Sequence, residues 1–219
     1  GDVLQWYDIP FAKPPVGDLR WRAPEPLDAK SQLISRRAEP AICPQLAGSV
    51  SGVEGDAAIG AEDCLYLDVT APASGTEPLP VMVWIHGGGN TTGHKNTYDF
   101  SRFVAEQKVI VVTINYRLGP LGWFAHPTLG NGPGTIANFG TLDIIAALGW
   151  VKSNIDAFGG DADNVTIFGE SAGGHNVFTL LASPLSEGLF HKAISQSGYV
   201  RSLSPVSYTH LRAHETIPD

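Results

Sequence analysis

The fold that this sequence predicts is decided by Asn164-Val165-Thr166-Ile167-Phe168-Gly169-Glu170-Ser171-Ala172-Gly173. Residues 164–168 have the apolar and β-branched character of a strand, and residues 172–182 are a helix candidate. Ser171 therefore stands on a tight turn from a strand into a helix, in the pattern Gly-x-Ser-x-Gly. Such a turn strains the backbone of its central residue, and the flanking glycines remove side chains that would crowd it. The pattern favours an exposed Ser nucleophile, with a Ser that caps a helix in a glycine-rich turn as the alternative.

A second glycine-rich segment, His86-Gly87-Gly88-Gly89, follows the apolar strand candidate at residues 81–85. Acyl transfer creates an oxyanion that must be met by preorganised N–H donors. Glycines let a backbone turn its N–H groups toward a substrate without a Cβ in the way. A loop of this type pairs with the N–H of the residue after the nucleophile, here Ala172. We expect His86 to shape the loop rather than to act as a base; a plain glycine-rich turn is the alternative for this segment taken alone.

The remaining elements alternate between strands and helices. The first 45 residues read as irregular because their prolines block long helices, although residues 3–7 are strand-like. Apolar runs and helical periodicity predict the other elements: strands at 65–69, 81–85, 109–115, 164–168 and 192–195, and helices at 98–108, 139–158 and 172–182. Continuously apolar strands are typical of a sheet covered on both faces. We therefore expect an α/β fold with a mostly parallel sheet flanked by helices.

Composition excludes several classes of function. The formal net charge is −8, from 14 Lys and Arg against 22 Asp and Glu. Binding to nucleic acid needs clustered Lys and Arg, so this balance argues against it. The longest apolar stretch is far shorter than the ~18 residues of a membrane span. The two cysteines, Cys43 and Cys64, lack the CxxC spacing of a zinc site, and from spacing alone they are either buried thiols or a disulfide. We expect no metal and no cofactor.

The sequence resembles the type-B carboxylesterase family, the esterase and lipase relatives that include cholinesterases. The resemblance rests on four segments, which are residues 9–21 (IPFAKPPVGDLRW), 62–69 (EDCLYLDV), 115–119 (NYRLG) and 158–161 (FGGD) leading to 169–174 (GESAGG). It implies the N-terminal portion of an α/β-hydrolase fold, truncated, that acts on small-molecule carboxylic esters. It also implies a secreted or periplasmic location and a Cys43–Cys64 disulfide. The implied site residues are Ser171 as the nucleophile, Gly88, Gly89 and Ala172 as oxyanion donors, and Glu170 and His86 beside them.

Two departures from the family pattern bear on the substrate. The family usually places an aromatic residue after the glycine triplet, and this chain has Asn90, which changes the expected acyl pocket. The resemblance to cholinesterases implies a choline-binding Trp in the loop between the two cysteines, but residues 44–63 contain no aromatic residue. The ring face that would bind a quaternary ammonium group is therefore missing, and a choline ester is disfavoured. Two rivals remain: a catalytically silent, cholinesterase-like adhesion domain, disfavoured because Ser171 is present, and an esterase of the hormone-sensitive-lipase type, which shares the glycine loop.

No residue after Ser171 is a good candidate for the rest of a catalytic triad. In this fold an acid and then a His follow the nucleophile. The acids and histidines that follow are Glu187, Glu215, Asp219, His175, His191, His210 and His214. The family places both partners further downstream, and residues 206–216 resemble a translated sequencing adapter. We therefore expect a partial α/β-hydrolase domain at 1–205, a non-native tail at 206–219, and no activity from this chain alone.

Overall fold

The computed structural model describes residues 2–27, 40–48, 52–75, 77–124 and 138–200. The predicted tail and its boundary at residue 205 lie outside these ranges. Eight strands occur in the described ranges: β1 (Val3–Pro10), β2 (Gln45–Gly48), β3 (Val53–Ile59), β4 (Tyr66–Pro72), β5 (Leu79–Ile85), β6 (Ile110–Ile114), β7 (Gly160–Glu170) and β8 (Lys192–Gln196). Four α-helices accompany them: α1 (Ser101–Gln107), α2 (Gly119–Gly122), α3 (Phe139–Asn154) and α4 (Ala172–Ala182).

Six of these strands form one sheet in the order β1-β4-β6-β5-β7-β8. β1, β4 and β6 pair antiparallel, and β6, β5, β7 and β8 pair parallel. All five residues of β6 are buried, as expected for a strand covered on both faces. The predicted mostly parallel α/β sheet is therefore confirmed for the described part of the chain.

Helices cover the sheet from two sides, and alternate residues of β5 face each side. Val83 packs in the larger core, which also holds Leu148 of α3 and Val177 of α4. Its neighbour Trp84 packs in a smaller cluster with Val104 of α1. Because successive side chains of a strand point to opposite faces, β5 is held from both sides, and the loop that follows it begins from a rigid position. Among the helices of the described ranges, none combines the length and apolar character that a bilayer crossing requires.

Two local expectations are corrected. The long helix predicted at 139–158 ends at Asn154, and residues 155–158 form a 3-10 turn that closes at Gly159 with φ 83°. The opening segment is less irregular than expected, since β1 extends to Pro10 and pairs with β4. Periodicity cannot separate a 3-10 turn from the last turn of an α-helix, and a strand whose partner lies about 60 residues away carries little local signal.

The cysteines form the expected disulfide, which also borders an element that sequence reasoning missed. Cys43 and Cys64 are both buried and bonded, with an S–S distance of 2.05 Å. The 21-residue separation encloses the antiparallel hairpin of β2 and β3. The disulfide therefore joins the base of this hairpin to the segment that leads into β4.

Candidate active site

Ser171 occupies a strained backbone position between β7 and α4. Its φ is 55° and its ψ is −120°, a region that non-glycine residues rarely adopt. Its backbone N–H donates to the carbonyl of Gln196 on β8 at 2.9 Å, and its own carbonyl accepts from His175 N–H at 2.9 Å. Strain of this kind costs on the order of 1–3 kcal/mol and persists only where the surrounding structure enforces it. The predicted nucleophile thus lies on the sharp strand-to-helix turn that the sequence indicated.

The flanking glycines are required by close backbone approach. A Cβ at Gly173 would collide with the carbonyl oxygen of Ile85 at the end of β5. A Cβ at Gly169 would lie 2.6 Å from the carbonyl carbon of Gly173 and 2.7 Å from the Ile85 oxygen. Because these contacts are with backbone atoms, rotation of a side chain cannot relieve them. The glycines therefore let α4 start directly against the end of β5. This brings the strand-to-helix turn at residues 169–173, called the elbow below, beside the loop that follows β5.

The glycine loop packs directly on the elbow. The register of β5 with β7 places Ile85 opposite Gly169, so both strands end at the same edge of the sheet. A Cβ added at Gly87 would lie 3.2 Å from the Ser171 Cβ and 3.1 Å from Glu170 Oε2. Gly88 and Gly89, the predicted donors, have φ values of 94° and 62°. Ala172, the third predicted donor, is the first residue of α4, where a backbone N–H has no acceptor within the helix.

His86 is a buried, neutral part of the loop. Its ring stacks on Tyr116 with centroids 4.3 Å apart, and its Nδ1–H donates to the Gly87 carbonyl at 2.9 Å. Burial lowers the pKa of the imidazole to about 4, so the ring stays uncharged at neutral pH. The backbone carbonyl of His86 accepts from the Tyr116 hydroxyl at 2.6 Å. These contacts hold the start of the glycine loop against the segment that follows β6.

The chain that continues from the glycine loop, at residues 93–95, is anchored by residues that sequence reasoning missed. Gln45 Oε1 accepts from Gly93 N–H at 2.8 Å, and Gln45 Nε2 donates to the Gly93 carbonyl at 2.9 Å. Two residues further on, the buried ammonium of Lys95 contacts Asp68 Oδ1 at 2.7 Å and Asp8 Oδ1 at 2.9 Å. Burial raises the pKa of Asp68, and the charge of Lys95 opposes that shift. Partners 27 to 87 residues apart in the chain leave no local sequence signal.

The comparisons with known proteins agree with this geometry. Residues 1–216 match the sequence profile described as the carboxylesterase family. The chain belongs to this family. It is 48% identical over 204 residues to the para-nitrobenzyl esterase of Bacillus subtilis (strain 168), with 92% of this chain and 41% of the relative covered. It is 47% identical over 208 residues to the cocaine esterase of Homo sapiens, with 90% and 36% covered.

A solved structure of a PNB esterase superposes with a TM-score of 0.86 at 45% identity, covering 96% of this chain and 44% of that one. The sequence resemblance and the α/β-hydrolase fold are thus confirmed. The chain spans about two fifths of the length of the carboxylesterases that it matches.

No described histidine of this carboxylesterase chain is placed to act as the base. Among the hydrogen bonds of the described residues, none joins Ser171 Oγ to an imidazole. His191 pairs with Val165 in the middle of β7, about 20 Å from Ser171 at ~3.3 Å per residue. His175 Nδ1 lies 2.6 Å from the carbonyl of Tyr199. Within the same ranges, no group of three or more His, Cys, Asp or Glu could hold a metal ion.

Proposed function

We propose that this chain carries the nucleophile and the oxyanion-binding loop of a serine carboxylesterase. The observation that supports this most directly is the strained Ser171, at φ 55°, packed against Gly87 at the shared end of β5 and β7. A Ser nucleophile and backbone donors must converge on one carbonyl group for acyl transfer. Here the two elements that would supply them are in direct contact.

In the proposed reaction, Ser171 Oγ attacks the carbonyl carbon of the ester and loses its proton to a base. The carbonyl oxygen becomes an oxyanion that accepts from the N–H groups of Gly88, Gly89 and Ala172. The intermediate collapses to an acyl-enzyme as the alcohol leaves with a proton, and water then releases the acid by the same steps. The base and its acid partner come from the whole protein outside the described residues.

His86 and Glu170 shape this site in the proposal rather than transfer protons. His86 is buried with Nδ1–H bound to a carbonyl, and its lowered pKa makes it a poor base at neutral pH. The Glu170 carboxylate lies against the Gly87 backbone, beside the loop.

The substrate class is a small-molecule carboxylic ester without a quaternary ammonium group. The relatives' names, para-nitrobenzyl esterase, fumonisin B1 esterase and cocaine esterase, refer to esters of very different shapes. The shared feature is the ester bond, whose carbonyl carbon Ser171 would attack and whose carbonyl oxygen the glycine loop would bind. The buried Cys43–Cys64 disulfide supports a secreted or periplasmic location, because disulfides persist in oxidising compartments. The net charge of −8 argues against a nucleic-acid partner.

The test is ester hydrolysis by the whole protein, with Ser171→Ala against a matched Ser153→Ala control. Ser153 is exposed on α3, and its hydroxyl donates to the Gly149 carbonyl of the same helix. We expect Ser171→Ala to lower kcat for a p-nitrophenyl ester by several orders of magnitude, as loss of a triad nucleophile does. The Ser153 variant should match the wild type.

A fluorophosphonate probe followed by peptide mass spectrometry should place the label on Ser171. A catalytically silent binding domain would leave Ser171 unlabelled in a folded protein, and that outcome would overturn the proposal. Equal rates for the wild type and Ser171→Ala would do so as well.

A further inference from the structure

We propose that Asn90 and Asn176 are positioning residues for this reaction, and that the hydrogen bond between their side chains holds the glycine loop in register with the nucleophile helix. This inference rests on the proposed esterase function. It concerns a residue, Asn90, at which the chain departs from the aromatic side chain of the family pattern.

The bond joins the two halves of the site directly. Asn176 Nδ2 donates to Asn90 Oδ1 at 3.0 Å across 86 residues of sequence. Asn90 is 9% exposed and Asn176 is 2% exposed, so water does not readily replace the bond. Asn176 lies on α4, five residues after Ser171, and Asn90 directly follows Gly89. A buried amide that loses its partner can no longer satisfy its hydrogen bond with water, which gives the contact a strong preference for one geometry.

Tyr116 connects this bond to the start of the loop. Its hydroxyl donates to the His86 carbonyl at 2.6 Å and lies 3.3 Å from Asn90 Oδ1. The Tyr116 side chain, just after β6, therefore contacts both ends of the glycine triplet, and its one hydroxyl hydrogen bonds the His86 end. Glycine loses more conformational freedom on ordering than any other residue. Holding both ends of the triplet restricts the orientations that its N–H groups can sample, which is the condition for preorganised donors.

The backbone of Asn90 explains why asparagine suits this position. Its φ is 60°, in the left-handed region that Asn tolerates better than other non-glycine residues. Its carbonyl accepts from Gly119 N–H at 2.7 Å, which holds this conformation from α2. Its side-chain oxygen then reaches Asn176. An aromatic residue in the same conformation would carry backbone strain and would provide no acceptor for the Asn176 amide.

The bond orients the oxyanion donors, so its loss should weaken their stabilisation of the transition state and leave binding of the ground-state substrate nearly unchanged. Deleting one oxyanion donor costs about 10²–10³ in kcat. Here the donors stay present but lose their fixed orientation, so we expect kcat to fall about tenfold while KM changes less than about twofold.

The experiment uses Asn90→Gly, which removes the side chain but keeps the positive φ accessible, and Asn176→Leu, which removes the donor at similar volume. Asn154→Leu is the matched control, because the hydrogen bond that Asn154 Nδ2 makes in the described part of the chain stays within α3, to the Trp150 carbonyl. Each kcat is normalised by active-site titration with the fluorophosphonate probe, so that only folded, reactive sites are counted. We expect a parallel loss of affinity for a trifluoromethyl ketone, which mimics the tetrahedral intermediate, and no loss for a non-reactive alcohol analogue.

The double variant decides whether the two residues act through one bond. Asn90→Gly combined with Asn176→Leu should lower kcat by about as much as one single variant, because the second change removes a contact already lost. An unchanged kcat in both titrated single variants, or fully multiplicative effects in the double variant, would overturn the inference. Absence of Ser171 labelling in the wild type would instead overturn the proposed function, so the two failures are distinguishable.

Discussion

The buried imidazole of His86 predicts a specific loss of stability in mild acid. Burial lowers the pKa of His86 from 6.5 to about 4 in the folded protein, while the unfolded chain titrates near the ordinary value. Between these two values the unfolded chain takes up a proton that the folded protein does not. The stability linked to His86 is therefore fully present above about pH 6.5 and is lost as the pH falls through about 4.

The size of the effect follows from the shift. One pKa unit corresponds to ~1.4 kcal/mol, so the whole shift amounts to about 3 kcal/mol, of which about 2 kcal/mol is lost between about pH 7 and pH 5. The variant His86→Gln keeps a neutral polar side chain that does not titrate. It should be less stable at neutral pH, because it loses the stacking on Tyr116, but its stability should fall by about 2 kcal/mol less on acidification.

The assay is urea unfolding of the whole protein at about pH 7 and pH 5, followed by tryptophan fluorescence. Wild type, His86→Gln and the exposed control Ser153→Ala are compared. The control should reproduce the wild-type pH dependence. If wild type and His86→Gln lose the same free energy of unfolding over this range, His86 is not held neutral by burial and the reasoning is refuted.

Three further predictions concern other parts of the molecule. Replacing both Cys43 and Cys64 by Ser should lower the free energy of unfolding by roughly 3 kcal/mol, measured in urea. After denaturation without reductant, peptide mapping should find neither Cys43 nor Cys64 labelled by a thiol reagent, and labelling of both would contradict this. Gly173→Ala should lower the free energy of unfolding by about 3 kcal/mol or more and abolish probe labelling, because the added Cβ would overlap a backbone carbonyl of β5. The control Gly149→Ala has open space around the added Cβ in α3 and should be neutral or slightly stabilising in the same assays. Purified residues 1–219 should hydrolyse p-nitrophenyl esters far more slowly than the whole protein, because no described imidazole reaches Ser171; full turnover by this chain would show that a base lies within it.

The elements that carry the proposed chemistry were visible in the sequence because their signals are local. The strand at 81–85, the helix at 172–182 and the elbow between β7 and α4 all depend on hydrophobic periodicity and on glycines within a few residues. The pairing of Cys43 with Cys64 became a prediction only through the family resemblance, because spacing alone left two alternatives. Local patterns failed where a 3-10 turn replaced the last helical turn at residues 155–158.

The amino-acid sequence by itself thus determined which residues form the turn at Ser171 and the loop at His86 to Gly89. Only the tertiary structure decided what holds them together. The sheet order placed β5 beside β7, and this adjacency brought Asn90 to Asn176. The hairpin at β2 and the buried ammonium of Lys95 likewise became supports of the loop through contacts with distant partners. Periodicity shows which face of an element is buried, but a polar side chain finds its partner only when strands far apart in the chain have become neighbours.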